Sequence, residues 1–96
     1  MVETAEPSIK KKTKPRTELA KVWNVLVWND PINTMSYVAY VFEKVLQLTK
    51  EVAHKRMLEV HNAGKSVVYS GDKEKAEYYV HQLQSYQLNA TLEQSE

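Results

Sequence analysis

Two short segments of this chain set hydrogen-bond acceptors beside large apolar side chains. One is Asn29-Asp30-Pro31-Ile32-Asn33-Thr34-Met35; the other is Met57-Leu58-Glu59-Val60-His61. An amide oxygen, a carboxylate and a neutral imidazole nitrogen can together accept the three protons of an ammonium group. The contact to Asp30 would be the strongest of them, because it is charge-assisted. Met57 and His61 are four apart and share a helical face, with Val60 adjacent. If that face packs beside a helix opening near Met35, then Met35, Val38, Met57 and Val60 enclose an apolar hole with Asn29, Asp30 and His61 at its rim. Methionine suits such a wall because it is flexible and polarisable. The ligand so defined carries a free α-amino group on a bulky apolar side chain. That is recognition, not bond-making.

Each of these residues also has a plainer use. Asn29-Asp30 can simply form a turn and cap, and Met35 and Met57 can be ordinary core residues. His61 can answer the dipole at a helix C-terminus, and Trp23 and Trp28 can fill a core or a sheet face. From the residues alone both readings stand.

The elements that must hold this constellation can be read from the pattern. Val22 to Trp28 is β-branched, aromatic or aliphatic and reads as a strand. Asn29-Asp30-Pro31 stops it, and Asn33 or Thr34 can cap the helix that follows. Met35, Val38, Val41, Phe42, Val45 and Leu46 step by three and four along that helix. Gln47-Leu48-Thr49 interrupts the pattern, with Thr49 as the cap of a second helix over Lys50–Asn62 and Val52, Ala53, Met57 and Val60 on its inner side. Gly64 supplies a left-handed stop. A short strand Ser66–Ser70, a turn at Gly71-Asp72, a third helix to about Tyr86 and a last strand Leu88–Leu92 complete the order β-α-α-β-α-β. The expected fold class is an α/β (α+β) sandwich with helices packed on one face of a small three-stranded sheet.

Composition narrows the function classes. Ninety-six residues with 43% hydrophobic content make one small domain with a single core. A net charge of +1 gives no case for nucleic acid. The chain has no cysteine, which excludes disulfides, thiolate metal sites and a cysteine nucleophile. The longest apolar run, Tyr37 to Phe42, is too short to span a bilayer, so no membrane role and a cytoplasmic place are expected. Residues 1–20 hold Pro7, Pro15 and the run Lys10-Lys11-Lys12-Thr13-Lys14-Pro15-Arg16, and read as a disordered basic arm ahead of a folded domain at 21–96. Catalysis finds little support. His54 and His61 stand about 10 Å apart along a helix, too far to chelate one ion. No nucleophile elbow, phosphate loop or zinc-protease helix is present. No cofactor, no metal and no enzymatic activity are expected, and a monomer is.

Over about three quarters of its length, from Val22 to Glu93, the chain resembles the ClpS family. These are adaptors that bring proteins with destabilising N-terminal residues to a Clp-type AAA+ unfoldase and its protease. The resemblance is carried by Asn29-Asp30, Met35, Tyr37-Val38, Met57-Leu58-Glu59-Val60-His61, Gly64-Lys65 and Ala90-Thr91-Leu92-Glu93. It implies that Asn29 and His61 hold the substrate's α-amino group with Asp30 close by, and that Met35, Val38, Met57, Val60 and Leu88 form the hydrophobic pocket. It implies further that Met35 is a gate against β-branched first residues, so that Leu, Phe, Tyr and Trp are admitted. The implied partners are N-degron substrates and the N-terminal domain of an unfoldase, ClpA or ClpC, faced by Glu74 and more weakly by Lys65. Three positions depart from the family pattern: Pro31 replaces a second acid, Asn33 a common threonine, and Tyr79 a common lysine. An alternative of similar fold is an interaction module of the ribosomal stalk protein C-terminal type, which needs a lysine-rich helical face and no amine pocket. Lys73 and Lys75 are there, but they alternate with Glu74 and Glu77.

Overall fold

Alternation along the first strand sets the architecture. Val25 and Val27 point to one face and are buried in the main core, while Asn24, Leu26 and Trp28 point to the other. In the computed structural model, which describes residues 21–95, this strand β1 (Trp23–Trp28) is the centre of a three-stranded antiparallel sheet. It is flanked by β2 (Lys65–Gly71) and β3 (Asn89–Gln94), in the order β2-β1-β3. The helices α1 (Met35–Leu46), α2 (Lys50–Ala63) and α3 (Lys73–Ser85) cover the Val25/Val27 face, giving the expected β-α-α-β-α-β sandwich. The expectation of a disordered basic arm at 1–20 lies outside the described residues.

The core is built from the residues whose spacing marked the helices. Val41 and Phe42 of α1, Ala53 of α2, and Ala76 and Leu83 of α3 are wholly buried. Burying a side chain the size of Phe42 or Leu83 contributes roughly 1.5–3 kcal/mol. Val52 departs from expectation: it is 38% exposed. Ala53, Met57 and Val60 already complete the i, i+4, i+7 stripe of α2, and Val52 lies about 100° around the helix from Ala53.

Each helix starts on a side-chain cap. Thr34 accepts from the Tyr37 amide at 3.2 Å, Thr49 from Val52 at 3.2 Å, and Asp72 from Lys75 at 3.1 Å. The helix ends use left-handed residues. Gly64 (φ 91°) ends α2 as expected, but Gln47 (φ 58°) and Gln87 (φ 74°) do the same work after α1 and α3 without being glycine. After α3 the amide of Leu88 donates to the Leu83 carbonyl at 3.1 Å and that of Gln87 to Gln84 at 2.9 Å, a Schellman closure. Leu88 therefore belongs to this turn, and the last strand begins one residue later, at Asn89.

In β2 the register slips between Val25 and Leu26, leaving Val68 as an extra residue. This bulge turns both Val68 and Tyr69 toward the helices, and Tyr69 meets Tyr79 edge-on at 4.8 Å. A side chain at Gly71 would run into the Tyr69 hydroxyl, which explains the glycine there.

One polar cluster ties α2 to β2. The hydroxyl of buried Ser66 donates to the Glu59 carboxylate at 2.6 Å, and the Arg56 guanidinium donates to both its oxygens at 2.9 Å. The Ser66 bond first, and Arg56 second, hold the Glu59 carboxyl below its ordinary value of 4.5. A carboxyl depressed on folding stabilises the fold at neutral pH, and that contribution is lost as the pH falls through its folded value. Glu59→Gln should therefore melt lower than the parent near pH 7, with the gap narrowing as the pH falls below the ordinary carboxylate value. Thermal melts of both proteins across this range test it; a constant gap would remove the charge from the account.

Candidate functional site

Gly64 brings the two sequence segments together. Its left-handed turn aims its carbonyl at β1, where it accepts from the Asn29 amide at 2.9 Å. The loop after β1 is thereby fixed beside the last turn of α2, which carries His61. Side chains within the loop then shape it. The Asp30 amide donates to Asn29 Oδ1 at 3.0 Å, and Asp30 Oδ1 accepts from the Ile32 amide at 2.7 Å, an Asx turn. Asn33 Nδ2 reaches Asp30 Oδ2 at 3.4 Å and donates to the Gln87 carbonyl at 2.9 Å. The Tyr37 hydroxyl donates to the Tyr86 carbonyl at 2.7 Å, so α1 and the loop before it are both clasped to the turn that presents Leu88.

Between these walls lies a cavity of about 240 Å³. That is below the roughly 300–1,000 Å³ of drug-sized sites and suits a group of amino-acid size. All eight residues expected at an amine pocket line it: Asn29, Asp30, Met35, Val38, Met57, Val60, His61 and Leu88. Burial sorts them. Val38, Met57, Val60 and Leu88 are buried and form the floor. Asn29 and His61 are exposed and Asp30 is half-buried, which puts the polar groups at the rim. Met35 is 42% exposed, at the mouth. Among the described residues, Asp30 is the only carboxylate in the lining and His61 the only basic side chain. A carboxylate has about four acceptor positions. The loop bonds of Asp30 leave capacity for an ammonium group.

Sequence reasoning overlooked part of the wall. Val27, Trp28, Thr34 and Asn89 also line the cavity. Alternation along β1 carried the signal for Val27, but nothing in the sequence marked Asn33 as a clasp on Gln87. Lys65 and Glu74 are both exposed, at opposite ends of β2. Lys65 sits 5.0 Å over the Trp28 ring, near the cavity, whereas Glu74 lies in the first turn of α3. Seven strand residues separate these ends by on the order of 20 Å, so the two do not share one patch. Among the described residues no group of His, Asp or Glu is placed to hold a metal ion, and no helix is long and apolar enough to cross a membrane.

A small sheet is thus covered on one face by three helices, with a recess floored by apolar side chains and rimmed by polar ones. Residues 18–93 match the family model described as ATP-dependent Clp protease adaptor protein ClpS. The ATP-dependent Clp protease adapter protein ClpS of Corynebacterium efficiens is 41% identical over 92 residues, covering 96% of this chain and 91% of that protein. That of Mycobacterium tuberculosis is 46% identical over 74 residues, covering 77% and 73%. In solved structures the fold is similar to Agrobacterium tumefaciens ClpS2 bound to L-phenylalaninamide, with a TM-score of 0.71 and 21% identity over 79% of this chain and 99% of that one. The chain belongs to the ClpS family of Clp protease adaptors.

Proposed function

We propose that this chain is a non-enzymatic cytoplasmic adaptor that captures proteins beginning with Leu, Phe, Tyr or Trp and delivers them to the N-terminal domain of a Clp unfoldase, ClpA or ClpC. Asn29, Asp30 and His61 take the free α-amino group, and the first side chain fills the space over Val38, Met57, Val60 and Leu88. The observation that carries this reading is the convergence of these groups, from two loops and two helices, on one cavity. L-phenylalaninamide, the ligand of the Agrobacterium relative, has the same chemistry: a free α-amino group on an aromatic side chain. Pro31 offers no carboxylate beside Asp30, which leaves Asp30 as the sole anionic partner of the amine among the described residues. Met35, at the mouth, crowds a side chain that branches at Cβ. Glu74 is the contact toward the unfoldase, and Lys65, at the other end of β2, is a weaker contact on a separate patch. Tethering there raises the concentration of captured substrate at the unfoldase entrance without any new contact to the substrate.

Fluorescence anisotropy with labelled peptides that differ only at the first residue tests the capture step. Leu and Phe peptides should bind. N-acetyl-Leu should lose on the order of 100-fold, because the acceptors of a charged donor are left unpaired. Ile should lose a similar factor if Met35 gates. Equal binding of free and acetylated Leu peptides would overturn the reading.

A further inference from the structure

A second, open groove of about 590 Å³ adjoins the cavity, lined by Asp30, Ile32, Asn33, Thr34, Tyr37 and Gln87. Asp30, Asn33 and Thr34 belong to both linings. One residue advances an extended chain by about 3.3–3.6 Å. A chain whose amine is held at Asp30, and which leaves the cavity past Ile32 and Tyr37, meets this groove at its second residue.

The groove presents an aliphatic side chain on a fixed loop. Ile32 is 85% exposed. A lone exposed isoleucine needs no explanation. This one sits in an Asx turn, its amide held by Asp30 at 2.7 Å and the loop clasped to Gln87 through Asn33 at 2.9 Å. The Tyr37 hydroxyl is engaged by the Tyr86 carbonyl, so the ring offers the groove an apolar surface.

We infer that the groove between Ile32, Tyr37 and Gln87 is a subsite for the second residue of a captured chain and favours an aliphatic side chain there. This rests on the amine-capture reading. The preorganised loop adds little ordering cost to such a contact. Partial burial of one aliphatic side chain against Ile32 and Tyr37 should tighten binding about three- to tenfold.

The experiment uses labelled peptides beginning Leu-Ile, Leu-Gly and N-acetyl-Leu-Ile, measured on the full chain and on Ile32→Ser. Circular dichroism checks the fold of the variant. The parent should bind Leu-Ile about three- to tenfold tighter than Leu-Gly, and Ile32→Ser should bind the two alike. Equal binding of Leu-Ile and Leu-Gly by the parent, or a difference that survives Ile32→Ser, overturns the subsite while capture stands. Binding of the acetylated peptide as tightly as the free one overturns both.

Discussion

Replacing Asp30 with alanine should weaken binding of a free N-terminal Leu peptide by more than about 100-fold, the largest loss of any single change at the rim. Asp30 does two things at once. Among the described residues it is the only carboxylate lining the cavity, and so the only full negative charge they offer there to an ammonium ion. It also organises the loop, accepting from the Ile32 amide at 2.7 Å and from Asn33 Nδ2 at 3.4 Å. Asp30→Asn separates these roles. The amide keeps an oxygen for the Ile32 amide but removes the charge, and it sets its own NH2 group against the donors of Asn33 or of the ligand. We expect that variant to lose on the order of 10- to 100-fold, less than alanine. If Asp30→Asn and Asp30→Ala lose equally, the charge alone matters and the loop tolerates its missing acceptor. If Asp30→Asn binds like the parent, the amine is held by Asn29 and His61, and the carboxylate serves only the turn. Anisotropy with one Leu peptide on three proteins decides among these.

The parts of this molecule that were legible in its sequence are those where residue type and period agree. The α1 stripe from Val38 to Leu46, the threonine caps, and the glycine stop at Gly64 follow from rules that act within one turn of helix. That Asn29, Asp30 and His61 each stand at the end of an element was legible in the same way. Their convergence depended on how α2 packs, and the family resemblance rather than any local rule implied it. The rest depended on backbone choices that the side chain does not announce. Glutamine seldom marks a left-handed residue, yet Gln47 and Gln87 both adopt that conformation. Leu88 consequently looked like the first residue of a strand rather than the last of a turn. The bulge at Val68 was hidden because Val67 and Val68 are both good strand residues, and only the pairing with β1 decides which is extra. The Asn33–Gln87 clasp joins positions far apart in sequence, and no local rule reaches that far.

That turn after α3 links stability to binding, and Leu83→Ala should show it. Leu83 is wholly buried, and its carbonyl closes the turn by accepting from the Leu88 amide. Truncating a buried leucine to alanine costs about 2–5 kcal/mol, a large share of the roughly 5–15 kcal/mol that holds a domain folded. For a domain this small, the melting temperature should fall by about 8–40 °C. A Schellman closure is frequently accompanied by a hydrophobic contact between these two positions, and Leu83 and Leu88 belong to the same buried core. Leu88 lines the cavity, so the loss is expected to loosen the floor as well. Measured well below its melting temperature, Leu83→Ala should bind a Leu peptide about three- to tenfold more weakly than the parent. Val25→Ala supplies the contrast. Val25 is equally buried, but it sits on β1 two residues before Val27, opposite Tyr69 and Leu92, and does not line the cavity. It should melt lower and bind as the parent does. Equal weakening by both variants would mean that the cavity answers to global stability alone. Weakening by Leu83→Ala only would make the left-handed turn at Gln87 the part of the fold that holds the pocket in shape.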